Sequence, residues 1–470
     1  MAKTIHIAVI SIPSFSHQSS IIKFCKRLTH LHHHIHVTCI FPIIDAPIPA
    51  TLKLFESLPP SIHYTFLPPI NQQDLPQDGL SQIQLAVAQW MPSFRDSLQL
   101  LCSTNLMVAL VADPLASQSL EVAKEFNLLC FVYYPVSALT TSLHLYLSTL
   151  HEQISCDYID HTDPIRILGC IPIHGQDLPR EFFHDRSSIA YELLLQHSKN
   201  VSLADGLWVN TFLEMEESTI KALQEKYNTV ENNTEVYLVG PIIQSGLEST
   251  KPRKGSGCEK WLDKQKPNSV LFVCFGSGGN LSQEQLNELA LGLELSSVKF
   301  LWVLREPSIS SYVGAYSIES DDDGAILKFL PHGFLERTKE QGLVVPFWAP
   351  QTQILSHAST GGFLTHCGWN STLESIVFGV PMITWPLFGE QRMNSNLLTE
   401  GLKVGLKVKF DDNGIADRNE IAKVIRALML SEERIEIQQT IEELKDVARG
   451  VNLGGQAKLG PAASPNIKGV

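Results

Sequence analysis

The chain has 470 residues, 44% of them hydrophobic and 18% charged, and a formal net charge of −13. It is too long for one typical domain and long enough for two with substantial cores. The acidic balance, with no basic cluster to offset it, argues against a nucleic-acid or anionic-membrane partner.

At the N-terminus no basic stretch precedes an apolar one, so no signal peptide and a cytosolic compartment are expected. Ile5–Ile10 is a short apolar run that predicts a strand, and Pro13-Ser-Phe-Ser16 is a loop. Ile21, Phe24, Cys25 and Leu28 then form a helical stripe. His36–Phe41 returns to strand, and Leu106–Ala112 is a further buried strand ending at Asp113. The histidines His30, His32, His33, His34 and His36 fall in the turn entering the second strand, where alternate residues face opposite ways, and are read as structural rather than metal-binding. Leu128–Leu150 carries no charged residue other than His144, yet Pro135 and six Ser or Thr residues interrupt it. A buried strand followed by a helix fits better than a membrane span. Alternating strand and helix patterns imply a parallel sheet with helices on both faces.

Composition changes after Pro241: residues 244–257 are rich in Ser, Gly, Lys and Thr and are taken as a linker. The alternation restarts with a strand over Ser269–Phe275, a helix over Gln283–Leu293 capped by Ser282, and a strand over Lys299–Arg305. The loop Phe275-Gly-Ser-Gly-Gly-Asn280 lets backbone N–H groups approach an anion. It lacks the G-x-G-x-x-G spacing of a dinucleotide site. The acidic stretch Glu319–Asp323 is a solvated loop, and the sequons at Asn200, Asn232, Asn280 and Asn370 are incidental in a cytosolic protein. Nine cysteines without C-x-x-C spacing, among them Cys39, Cys130 and Cys274 in apolar strands, read as reduced packing residues.

The segment Trp348–Gln391 is the most informative. It predicts a strand over Gly362–His366 and a helix whose first turn is Asn370, Ser371 and Thr372, with Leu373, Ile376 and Val377 as its apolar stripe and Gly379 as its stop. An anion would bind at that N-terminus beside His366, Asn370 and Ser371. Ser371 and Glu374 also fit a capping box. Trp348, Trp369 and Trp385 stand at loop or strand-end positions, and Glu390-Gln391 close the segment. A ring to stack a base and polar groups to hold hydroxyls are what a sugar nucleotide needs.

This segment, with its W-A-P-Q opening, H-C-G-W-N-S centre and E-Q ending, resembles the donor-binding signature of plant family 1 UDP-glycosyltransferases, and the likeness extends more thinly over residues 1–450. The resemblance implies an α/β fold of GT-B type, two Rossmann-like domains facing across a cleft: residues 1–243 for the acceptor, 258–450 for the UDP-sugar, and an irregular tail over 451–470. It implies Trp348 on uracil, Ala349 at the uracil edge, and Gln351 and Glu374 on the ribose. His366, Asn370, Ser371 and Ser277 would hold the diphosphate, and Trp369, Glu390 and Gln391 the sugar. A terminal Gln goes with glucose in this family, so UDP-glucose is the expected donor, a co-substrate rather than a cofactor.

Glycosyl transfer needs a base for the acceptor proton. His17 follows the first strand and its loop, and Asp113 ends another strand of the same domain; a His–Asp dyad follows, and the resemblance puts the family's catalytic pair at these positions. No D-x-D metal motif lies beside the donor segment, so a metal-independent mechanism is expected. Similarity over Leu330–Pro346 and Gln285–Arg305 points to the subgroup acting on hydroquinone, monolignols and related phenols. Phe15, Phe182, Phe183 and Phe388 are candidate aromatic walls for the acceptor. The chain departs from the family where it has Ser16 for Gly, Ser20 for Pro, and a Gly- and Pro-rich end after Val447 in place of a helix. The expected protein is a monomeric, inverting glucosyltransferase of small phenols; the alternative is a UDP-sugar-binding protein with weak or no transferase activity.

Overall fold

Seven segments of the first half form parallel strands: β1 (Ile5–Ile10), β2 (Ile35–Phe41), β3 (Ile62–Phe66), β4 (Met107–Ala112), β5 (Leu129–Tyr134), β6 (Gly206–Val209) and β7 (Glu235–Leu238). They form one sheet in the order β3-β2-β1-β4-β5-β6-β7. The second half adds β8 (Val270–Cys274), β9 (Lys299–Leu304), β10 (Gly342–Pro346), β11 (Thr360–Thr365), β12 (Met382–Thr384) and β13 (Gly405–Lys407). Their order is β10-β9-β8-β11-β12-β13, again all parallel. The computed structural model describes residues 4–44, 46–47, 49–70, 79–228, 234–243, 257–308 and 323–453. The chain divides into two compact units, Met1–Ile243 with Val451–Val470, and Gln244–Gly450.

The central strands are near-continuous apolar runs because both faces are covered. In the first unit Ala8, Ile10, Leu110 and Ala112 point into one core, while Ile7, Val9, Ala109 and Val111 point into another on the opposite face. This is the period-2 alternation of a strand applied to two apolar layers. Burying each larger aliphatic side chain contributes about 1.5–3 kcal/mol. Edge strand β3 has solvent on part of its surface, and His63, Tyr64 and Thr65 are exposed.

Each sheet reverses its strand order once, between β1 and β4 and between β8 and β11. Loops leaving the two strands at such a point run to opposite faces, so a crevice opens at the strand carboxyl ends. His17 and Asp113 follow β1 and β4; the glycine loop and His366 follow β8 and β11.

Leu128–Leu150 is β5 followed by the helix Ala138–Gln153. No helix of the described residues is long and apolar enough to cross a membrane. The linker over 244–256, most of the acidic stretch and residues 454–470 lie outside the described residues.

Two expectations need correction. The strand before the donor helix is Thr360–Thr365 and the helix is Trp369–Phe378, so both begin earlier than the pattern suggests. The last helix, Glu433–Leu453, runs beyond Val447 and takes in the first three residues of the expected tail. Its buried stripe of Ile437, Ile441, Leu444 and Ala448 anchors it, and one interior glycine, Gly450, costs only about 1 kcal/mol.

Candidate active site

β1 passes through Ser11–Ser14 into the helix Phe15–Leu31, which places His17 in its first turn. The entry is pinned by Gln18, whose Nε2 donates to the Ile12 carbonyl at 3.0 Å and whose Oε1 accepts from Thr51 Oγ1 at 2.6 Å. Asp113 continues the ladder past β4, its N–H donating to Ile10 O at 3.0 Å. Its carboxylate is divided: Oδ2 lies 2.6 Å from His17 Nδ1, and Oδ1 accepts the Leu115 N–H at 3.0 Å. The Asp113 side chain is 2% exposed and that of His17 21%. A carboxylate so buried must be hydrogen-bonded to remain charged, and these two donors do that. With Nδ1 committed to Asp113, Nε2 is the nitrogen suited to accept a proton.

The departures from the family pattern sit differently. Ser16 is exposed, its Oγ 3.1 Å from Ser14 Oγ. Ser20 is fully buried and its hydroxyl lies 2.8 Å from Tyr133 Oη, so it satisfies a phenol inside the first unit's core. Phe15 and Phe182 are half-buried, whereas Phe183 is core, edge-on to Tyr158 and Tyr191.

In the second unit the loops after β8 and β11 meet. Gly276 has φ +72°, and a Cβ there would lie 2.5 Å from the His366 ring; a Cβ on Gly368 would lie 2.4 Å from His366 Nε2. Only glycine allows this approach from both sides. His366 is buried, and burial first, then the positive charge of Arg305, lowers its pKa from 6.5 to about 4. It is a neutral imidazole at pH 7. Its Nδ1 and the Oδ1 of Asn370 are buried without a hydrogen-bond partner, and Ser371 is buried on the same first turn. The loop after β12 also arrives here: Phe388, half-buried, has its ring tip 3.5 Å from a Cβ built on Gly278. Ser277 is exposed at the loop tip.

The capping-box alternative fails. Gly368 is the N-cap of the donor helix and makes no side-chain cap bond. Ser371 and Glu374 instead meet Gln351, whose Nε2 donates to Ser371 Oγ at 2.9 Å and to Glu374 Oε2 at 2.8 Å. Phe347, with φ +61°, turns the chain between β10 and the helix Gln351–Ser356, and leaves Trp348 48% exposed while Ala349 is buried. An indole with an open face can stack a planar base. Trp369 is buried and Trp385 is core, edge-on to Phe275 and Phe410. Gln391 Oε1 accepts from the Leu387 and Phe388 N–H groups at 2.8 and 3.1 Å, which commits its carbonyl and leaves its amide N–H groups as what it can offer a ligand. Glu390, half-buried, is the N-cap of the helix Gln391–Asn396. Among the described residues no group of three or more His, Cys, Asp or Glu is arranged to hold a metal ion. Among the described residues the histidines of residues 30–36 meet other histidines in ring pairs, His30 with His33, His32 with His34 and His36 with His6.

Comparison with known proteins decides the family. A family model described as UDP-glucoronosyl and UDP-glucosyl transferase matches residues 238–426. The hydroquinone glucosyltransferase of Rauvolfia serpentina is 45% identical over 95% of this chain and 94% of its own. The chain belongs to the UDP-glycosyltransferase family. UDP-glycosyltransferase 72B1 of Arabidopsis thaliana is 43% identical over 95% of this chain and 92% of its own. The structure of Phytolacca americana UGT2 complexed with UDP-2fluoro-glucose and pterostilbene matches with a TM-score of 0.88 at 41% identity, covering 98% of this chain and 99% of that one. This UDP-glycosyltransferase has the α/β GT-B fold of those plant enzymes and is itself a glycosyltransferase.

Several residues of this glycosyltransferase escaped sequence reasoning. Arg305, in the sequence only the end of a strand, donates through Nη1 to Gly276 O at 3.0 Å and to Ser277 O. Its position directly after the apolar run of β9, at a strand carboxyl end, was the available signal. Gly368 gave none, because its role depends on a ring that packs against it from His366.

Proposed function

We propose that this glycosyltransferase moves glucose from UDP-glucose to a hydroxyl of a small phenol, with inversion at the anomeric carbon and without a metal ion. The observation that carries the mechanism is the 2.6 Å contact between His17 Nδ1 and Asp113 Oδ2 at the reversal point of the first sheet. Asp113 holds the tautomer with a proton on Nδ1, so Nε2 takes the phenol proton as the oxygen attacks the sugar C1. The C1–oxygen bond to UDP breaks on the opposite face, the pair of electrons leaves with the diphosphate, and the resulting imidazolium is stabilised by the buried carboxylate. Such a base contributes about 10²–10⁴ in rate.

In the donor half, Trp348 stacks uracil and the Ala349 backbone meets its edge. Gln351 and Glu374 take the ribose hydroxyls, and His366, Asn370, Ser371 and Ser277 the diphosphate. Trp369, Glu390 and Gln391 face the sugar. The unpartnered His366 Nδ1 supports this assignment, because a buried ring nitrogen left without a partner can carry the proton and donate it to an anion. Glucose and a phenolic acceptor are supported by the names of relatives: one is a hydroquinone glucosyltransferase, and another was solved with a UDP-fluoroglucose and pterostilbene. Phe15 and Phe388 are the acceptor-side candidates.

The test is calorimetric titration with UDP-glucose, followed by turnover against a panel of simple phenols. Binding with glucoside formation supports the proposal. Binding without product across the panel would favour a UDP-sugar-binding protein, and no binding would overturn the donor assignment.

A further inference from the structure

The residues assigned to the diphosphate share a gap. Ser277, Asn370 and Ser371 are uncharged, and His366, neutral down to about pH 4, carries no charge at pH 7. A diphosphate and its departure as UDP present concentrated negative charge, which neutral donors alone meet less well than charged ones. Arg305 stands where that charge is needed. Its Nη1 holds two successive carbonyls of the glycine loop, Gly276 O at 3.0 Å and Ser277 O. Because each peptide is planar and trans, turning those two carbonyls toward the guanidinium turns the N–H groups of Ser277 and Gly278 away from it. Two adjacent N–H groups aimed the same way make an anion-binding concavity. The same loop lies against His366, since a Cβ on Gly276 would sit 2.5 Å from that ring.

We propose that Arg305 is a positioning residue for the donor diphosphate: it aims the Ser277 and Gly278 N–H groups at the anion and supplies a permanent positive charge beside the glycine loop. The proposal rests on the donor site described above. Arginine suits the task because its charge persists at any working pH and the two hydrogens of one Nη1 point in fixed directions that can meet two acceptors. The Coulombic effect on His366 has the matching direction. Burial is the larger cause, and the neighbouring cation adds to it by disfavouring the imidazolium.

The experiment compares UDP and uridine, which share the base and ribose and differ in the phosphates, by calorimetry on the wild type, Arg305→Gln and Arg305→Lys. Arg305→Gln is expected to weaken UDP by about tenfold or more, the worth of hydrogen bonding to a charged group. Uridine affinity should stay the same, which also shows that the variant is folded. Arg305→Lys, with the charge but without those fixed directions, should fall between. In the ligand-free protein, the His366 ring titration followed by nuclear magnetic resonance should move up from about 4 in Arg305→Gln and stay low in Arg305→Lys. Equal losses for UDP and uridine would reduce Arg305 to scaffold and overturn the proposal, as would unchanged UDP affinity or an unmoved His366 titration. A wild type that binds neither ligand would overturn the donor-site assignment and this proposal with it.

Discussion

His17 Nδ1 and Asp113 Oδ2 stand 2.6 Å apart although 96 positions separate them in the chain. They meet because β1 and β4 are adjacent at the centre of the first sheet, with Ile10 opposite Ala112. Asp113 gives one oxygen to the imidazole and the other to the Leu115 N–H, so the carboxylate both orients the histidine and caps the short turn Pro114–Ala116.

That division makes Asp113→Asn informative. An amide has one acceptor and one donor end, and here both neighbours of the carboxylate are donors. Either the His17 tautomer is reversed or the Leu115 N–H faces another donor. We expect kcat to fall by about 10²-fold with UDP affinity unchanged. Steady-state kinetics with parallel calorimetry checks this, and wild-type turnover would contradict the dyad.

Gln391→Glu separates the two ends of that side chain. A carboxylate can still accept from the Leu387 and Phe388 N–H groups, so the loop should keep its shape, while the donors offered to the sugar are lost. The KM for UDP-glucose should rise by about tenfold and the Kd for UDP should not change. A parallel loss for UDP would show that Gln391 acts only on the loop.

Gln351→Ala removes the amide that links Ser371 Oγ and Glu374 Oε2. Glu374 then keeps its burial but loses a donor, and the ribose loses two ordered partners. UDP should bind about tenfold more weakly, and calorimetry that finds unchanged affinity would reject the ribose assignment.

Acid should destabilise the enzyme through buried histidines. Burial holds His366 and His197 at about 4 and, with His197 beside it, His144 at about 3. Unfolded, each takes a proton near 6.5, so between pH 6.5 and 4 the unfolded chain binds more protons and stability falls as pH drops. Each contributes up to about 1.4 kcal/mol per pH unit. His144→Gln should therefore show a shallower decline in urea-unfolding free energy from pH 6.5 to 4. Parallel pH profiles for variant and wild type would contradict the buried, neutral His144.

Strands such as β1, β4, β8 and β9 were legible because a buried parallel strand needs a continuous apolar run, which sequence displays directly. The donor segment was legible because its chemistry is concentrated in one stretch of chain. What sequence concealed were pairings between distant segments: Gln351 claiming Ser371 and Glu374, Gly276 and Gly368 enclosing His366, Ser20 meeting Tyr133, and Arg305 holding the glycine loop. Local spacing made Ser371 and Glu374 look like a helix cap, since that motif depends on where the helix starts, and the start was set by Gly368. Helix-breaking residues after Leu453 likewise suggested an earlier stop than the buried stripe of the last helix permits.

The most direct test of the account is the ratio of kcat/KM between wild type and His17→Ala across phenols of graded acidity, with UDP affinity measured alongside. A base at His17 predicts a loss of about 10²–10⁴ for weakly acidic acceptors, a smaller loss for phenols already ionised at the assay pH, and unchanged UDP binding. A loss independent of acceptor acidity, or one matched by weaker UDP binding, would contradict it.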